Sequence, residues 1–283
     1  MIKMVENRFL TPAEVAEYTA GVAQTKASLS AAKMLLLGFM AGAFIAFASN
    51  GSTMAAHNLL LKPETYGMGR ALTGVVFGTG LMMVVVAGAE LFTGNNLMII
   101  GVLEKKITCM AMLKNWLLVY VGNFLGSVTI AYLSVYSGLM SASANDFGAM
   151  TIRIAASKAG LNFWKAIVLG ILCNILVCVA VWMSFSAKDI AGKLLACFFP
   201  IWLFVTSGFE HSIANMFYVP AGIWAASNPA WLEAAKLSES ALAKLTWGNF
   251  LLNNLLPVTI GNIVGGGCLV GGVYWFCYLR KKA

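Results

Sequence analysis

The chain has 283 residues, of which 60% are hydrophobic and 11% charged, with a mean hydropathy of +0.81. That balance excludes a soluble globular domain of this size and requires burial in a lipid bilayer. A net charge of +8 does not point to nucleic acid, because the basic residues are spread over short loops and the chain ends, with no basic stripe and no interleaved aromatic platform.

Residues 1–32 are polar and carry Glu6, Glu14 and Glu17, which excludes a cleavable signal with its basic start and apolar run. Thr11-Pro12-Ala13-Glu14 has the capping-box pattern with proline at the first helical position, and Val15, Tyr18 and Val22 then share a face. An N-terminal amphipathic helix is therefore expected within 1–32, lying on the cytoplasmic side as a lid or an interfacial anchor. Residues 33–283 form the transmembrane unit.

Apolar runs long enough to cross a hydrocarbon core about 30 Å thick occur near 33–49, 71–93, 116–138, 166–185, 194–222 and 250–279. They predict six transmembrane helices and an all-α fold, since the short alternating segments of a membrane β-barrel are missing. With both ends on one side, twelve basic residues fall on that side, Lys3, Arg8, Lys281 and Lys282 among them, against seven on the other. The positive-inside rule then makes both termini cytoplasmic. Trp116, Trp164, Trp182 and Trp275 fall near span ends and read as interfacial belts.

The spans repeat. Lys33-x4-Gly38 opens the first and Lys165-x4-Gly170 the fourth; Gly88-Ala89-Glu90 closes the second and Gly208-Phe209-Glu210 interrupts the fifth. Asn115 with Gly122-Asn123-x-x-Gly126 in the third matches Asn254 with Gly261-Asn262-x-x-Gly265 in the sixth. Three spans per half is an odd number, so the halves enter the membrane from opposite sides as an inverted repeat, and a substrate path is expected where they meet, near the midplane. The second and fifth spans, rich in Gly and Pro, are the ones expected to be broken. Gly38, Gly42, Gly122, Gly126, Gly261 and Gly265 are expected to let helices approach closely.

The most polar stretch at membrane depth is Gly208-Phe209-Glu210-His211-Ser212-Ile213-Ala214-Asn215-Met216. Charged groups cost about 2.5–3.5 kcal/mol at the bilayer centre on insertion scales, so they mark either a functional path or an internally satisfied polar cluster. His211 and Thr93 are candidate donors converging on a small anion, Asn174 a third, and Lys158 a cation raising the local anion concentration. Glu210 lies one residue, about 100°, from His211 and need not face the path. No nucleophile motif, nucleotide loop or cofactor signature accompanies these residues, and the sequence reads as a conductor without a cofactor and not as an enzyme. Six scattered cysteines and two histidines give no metal frame. Asn228-Pro229-Ala230, a single copy of a signature paired in aquaporins, reads as a turn into a short helix.

Gly88-Ala89-Glu90-Leu91-Phe92-Thr93-Gly94-Asn95, Asn115-Trp116-Leu117, Cys173-Asn174-Ile175-Leu176-Val177-Cys178, Gly208 to Met216 and Pro257-Val258-Thr259-Ile260-Gly261-Asn262 resemble the signatures of the formate/nitrite transporter family. The resemblance covers nearly the whole chain. It implies a homopentamer in the bacterial inner membrane, each protomer an aquaporin-like six-helix bundle with its own pore for small monovalent anions. General similarity favours the hydrosulfide branch, with a proton-coupled formate or nitrite transporter as the alternative. Carried over by position, His211 is the central pore histidine and Thr93 the threonine of the loop interrupting span two, with Lys158 and Asn174 as nearby polar partners. Phe77 and Phe204 would form one hydrophobic constriction and Leu81, Leu91, Phe92 and Val177 the other, while Glu90, Glu210, Asn215 and Asn262 support the structure. Gly94-Asn95-Asn96 departs from the small hydroxyl residues of the formate branch.

Overall fold

In the computed structural model, residues 9–280 are described; Lys3, Glu6, Arg8, Lys281 and Lys282 lie outside them. The described residues are helical, with one isolated β-bridge between Phe9 and Ala187. Ten principal helices occur in two sets of five. The first set is α1 (Pro12–Ala27), α2 (Ala31–Leu60), α3 (Tyr66–Ala87), α4 (Phe92–Leu103) and α5 (Cys109–Tyr136). The second is α6 (Asp146–Ala159), α7 (Phe163–Ser186), α8 (Ile190–Ser207), α9 (Ser212–Ala225) and α10 (Trp247–Tyr278).

Among the described residues, six helices are long and apolar enough to cross a membrane. Their bounds differ instructively from the apolar runs. The second run stops as a helix at Ala87 and the fifth at Ser207, because Gly88 (φ +80°) and Gly208 (φ +83°) take the left-handed conformation that ends a helix at little cost. Chain continuing to Tyr218 and beyond belongs to a separate half-helix, α9. The first run extends instead, and α2 reaches Leu60. Ser49 and Thr53 bond back within the helix to the carbonyls of Ile45 and Ser49, so hydrophobicity fades without a break.

The repeat is also longer than three spans per half. α1 and α6 are counterparts, each leading through a short turn into the first long helix of its half. The capping box at Thr11 forms as the motif requires, with the Thr11 amide donating to Glu14 Oε2 at 2.7 Å. α1 is not simply adsorbed on a surface: Val15, Ala16, Thr19, Ala20 and Ala23 are buried. Asn228 caps the short helix Pro229–Ala235, as expected of an isolated turn.

The glycines of the long helices do pack backbone to backbone. A Cβ on Gly38 would lie 2.9 Å from the Val119 carbonyl oxygen, and one on Gly170 2.7 Å from that of Val258. Two of the four tryptophans depart from the belt reading. Trp116 is buried and its indole N–H donates to the Asn95 carbonyl at 2.9 Å, and Trp182 is buried against Tyr274. An indole close to a span end in sequence turns inward when a re-entrant loop offers a carbonyl there.

Candidate anion path between two broken helices

Each helix break is held by the same polar framework. The side chain of Asn123 accepts from the Phe92 amide at 3.0 Å and donates to the carbonyls of Gly38 and Glu90 at 2.8 and 2.9 Å. Asn262 does the same with the Ser212 amide and the carbonyls of Gly170 and Glu210, at 3.0, 2.8 and 3.1 Å. Broken helices leave backbone groups that lipid cannot satisfy. One carboxamide per break accepts one bond and donates two, three of the four its side chain can make.

Around this clamp sits an ion-pair cluster, again in two copies. Lys26 meets Glu90 at 2.6 Å, and Asn95 donates to Glu90 at 2.7 Å and to Asn115 at 2.9 Å, while Asn115 reaches the Lys26 carbonyl at 3.3 Å. Lys158 meets Glu210 at 2.8 Å, Asn215 donates to Glu210 at 2.7 Å and to Asn254 at 2.8 Å, and Asn254 reaches the Lys158 carbonyl at 3.0 Å. The polar groups of Glu90, Glu210 and Asn215 are thus engaged within the protein. Lys158 carries an ion pair and a place over the Tyr218 ring, 5.3 Å from its centroid, so its charge is largely spent within the protein.

What breaks the symmetry is more informative than what keeps it. Counting from the two glutamates, His211 stands where the first half has Leu91, and Thr93 where the second half has Ile213. Asn174 stands where α2 has Gly42, and Cys178 where it has Ala46. These four polar exceptions meet. Thr93 Oγ1 lies 2.9 Å from His211 Nε2, Asn174 Nδ2 donates to the Thr93 carbonyl at 3.2 Å and Cys178 Sγ to the same oxygen at 3.3 Å. Asn174 also donates to Asn96 Oδ1 and the Asn262 carbonyl, at 2.8 and 2.7 Å, so it holds the Thr93 turn from behind.

The hydrogen bonds assign the imidazole tautomer. His211 caps α9, its Nδ1 accepting from the Ala214 amide at 3.1 Å, so Nδ1 carries no proton and Nε2 donates to the Thr93 hydroxyl. The hydroxyl hydrogen of Thr93 has no acceptor among the described residues. Thr93 lies in the first turn of α4 and His211 at the cap of α9, so the positive ends of two half-helices also converge here. Both side chains are buried.

A cavity approaches this pair from each side, one lined by His211 itself and the other by Leu91 and Gly94, which flank Phe92 and Thr93. One, of about 410 Å³, is lined by Phe77, Phe204, Lys158, Gly208 and His211 beside residues of α6, and is termed the α6 cavity. The other, about 300 Å³, is lined by Leu81, Leu91, Lys26, Glu90 and residues of α1, and is the α1 cavity. Phe77 meets Phe204 edge to face at 5.8 Å between ring centroids, and Phe204 stacks on His211 at 6.0 Å. Phe92 and Val177 line neither cavity: the Phe92 ring rests on Trp116 and Tyr120, and Val177 is buried in the core. Sequence reasoning missed Asn95, Asn123 and Lys26 as members of the framework. The equal spacing of Lys26 from Lys33 and Lys158 from Lys165 was the available signal.

The family model for formate/nitrite transporters matches residues 13–276. A probable formate transporter of Methanothermobacter thermautotrophicus is 37% identical, over 96% of this chain and 98% of its own length. The formate channel FocA of Escherichia coli K12 is 39% identical, over 96% of each chain. Among solved structures, a pentameric formate channel with formate bound aligns with a TM-score of 0.78 at 37% identity, over 88% of this chain and 98% of that one. An FNT family ion channel aligns at 0.77 and 28% identity, over 93% and 98%.

Proposed function

We propose that this chain, which belongs to the formate/nitrite transporter family, conducts small monovalent anions, formate foremost, between the α1 and α6 cavities past the Thr93–His211 pair. The observation that carries this is the convergence of the repeat's polar exceptions at one point between two cavities. A purely structural joint would not need His211 where its mate has leucine. Formate is put first because the relatives at 37–39% identity are named for it. Hydrosulfide remains in the same class of guest.

An anion entering either cavity meets an apolar ring, Phe77 and Phe204 on one side or Leu81 and Leu91 on the other, and sheds water there. The Thr93 hydroxyl, accepting from His211 and free to donate, then replaces part of the lost hydration. Because Nδ1 of His211 caps α9, taking up a second proton removes that cap. This favours conduction past a neutral imidazole over a cycle in which His211 protonates the guest. Voltage-clamp current compared with pH change in the same liposomes separates the two. His211, Thr93, Phe77, Phe204, Leu81 and Leu91 are assigned to the path, and Asn174, Glu90, Glu210, Asn215 and Asn262 to its support.

The working form in this account is a homopentamer in the bacterial inner membrane with both termini cytoplasmic, the pentamer drawn from the structural relative. Liposome flux with formate, nitrite, hydrosulfide, chloride and acetate tests the function. Formate uptake well above protein-free liposomes is expected; folded protein carrying none of the five anions would refute it.

A further inference from the structure

The two cavities differ in charge in a way the repeat does not require. The α1 cavity is lined by one cation, Lys26, and one acid, Glu90, which pair with each other. The α6 cavity pairs Lys158 with Glu210 in the same manner but adds Arg70 of α3 and Arg153 of α6, with no further acid. Its lining is therefore two positive charges richer.

Arg70 is placed with particular effect. Where α8 breaks at Gly208, its last turn carries the negative end of the helix dipole beside the α6 cavity, which Val205 and Gly208 line, an unfavourable surface for an approaching anion. Arg70 covers it, Nη2 donating to the Val205 carbonyl and Nε to that of Thr206 at 3.4 Å. The guanidinium also sits against the break itself, 3.4 Å from where a Cβ on residue 208 would lie. The matching carbonyls of α3, Val85 and Val86 by the glutamate register, receive no side-chain donor among the described residues. The α3 end at Gly88 is therefore bare in the α1 cavity. Two of the five guanidinium N–H groups are used on α8, and the rest remain for a ligand. Arg153 spends its Nε on the Ala235 carbonyl at 2.7 Å and likewise keeps its terminal nitrogens.

We propose that Arg70, assisted by Arg153, is an entry-selectivity residue that makes anion capture stronger from the α6 face than from the α1 face. The inference rests on the conduction reading above. Arg70 neutralises the carbonyl end of α8 and supplies a donor fork suited to a small carboxylate or similar oxyanion.

The test is zero-trans uptake of labelled formate into vesicles sorted by accessibility of a tag on the C-terminus, since α10 ends at Tyr278 packed against α1. The wild type should half-saturate at lower formate from the α6 face. Arg70→Gln should raise that half-saturating concentration about fivefold, or about 1 kcal/mol at 1.4 kcal/mol per tenfold, without raising it from the α1 face. Microscopic reversibility makes low-concentration permeability fall equally from both faces, so half-saturation is the discriminating quantity. Arg70→Lys, which keeps the charge and loses the fork, should recover part of the effect. Should Arg70→Gln fail to fold, Arg153→Gln, which leaves the α8 end covered, should shift the α6 face in the same direction. Equal shifts from both faces, no shift in a conducting protein, or Arg70→Lys matching Arg70→Gln would overturn the proposal. A wild type that conducts no anion would instead remove the conduction reading, and this inference with it.

Discussion

Glu210→Gln tests the framework most severely, because it keeps shape and removes charge. The carboxylate lies 2.8 Å from Lys158 Nζ, and the two side chains are only 8% and 16% exposed. Losing one partner of so buried a pair leaves an uncompensated ammonium and costs about 3–5 kcal/mol. The Asn215 donor still finds an oxygen on the new amide, so the loss isolates the ion pair. At about 2–4 °C per kcal/mol for chains of this order, the detergent-solubilised variant should melt about 10 °C below wild type. Replacing both partners, Glu210→Gln with Lys158→Met, removes the stranded charge and should recover part of that loss. Thermal melting by intrinsic fluorescence of both variants is the assay. If the single variant melts with wild type, or the double variant melts no higher than the single, the pair does not hold the α8–α9 break as argued.

Three further outcomes follow from the same geometry. Asn262→Leu strands one amide and two carbonyls at the second break; at about 1 kcal/mol per lost hydrogen bond it should cost about 3 kcal/mol and abolish formate flux, while Asn123→Leu should do the same from the first break. Gly126→Val forces a side chain onto the Phe39 carbonyl and should abolish folding, whereas Gly21→Ala, with nothing within 4 Å, should melt at or slightly above wild type. The Glu14 carboxyl is held below its ordinary value, first by the backbone N–H of Thr11 and then by its hydroxyl. A depressed carboxyl pKa contributes stability above the unfolded value and loses it as pH falls through the folded one, so exchange protection of the Thr11 amide should drop in acid and not in base.

Much of the architecture was legible because polar residues at membrane depth are costly and therefore sparse. Glu90 and Glu210, Asn115 and Asn254, and Asn123 and Asn262 stood out against apolar background and exposed the repeat. Helix ends were less legible. Hydropathy runs on through the break into α9, since both half-helices are apolar and only the short non-helical stretch Gly208 to His211 separates them. α6 escaped notice because its burial uses Ala155, Ala159 and Gly148 as much as large residues, which weakens the apolar periodicity. Roles were the least legible part. The sequence marked Lys158 as a charge and Asn174 as a donor but not where those donors were already committed, which depends on Glu210 from α9's cap region and on Asn96 and Asn262 from two other helices. Phe92 belonged by sequence with the constricting residues and lies instead on the far side of its loop, against α5.

The central claim is that the exception at His211 exists for the permeating anion. Replacing it with its symmetry mate, His211→Leu, removes the donor to Thr93 and the cap on the Ala214 amide, while leaving both clamps and both ion pairs in place. Formate flux through this variant in liposomes, measured from acid to alkaline pH, should fall at least tenfold or lose its preference over chloride. Flux and selectivity equal to wild type at every pH would contradict the account.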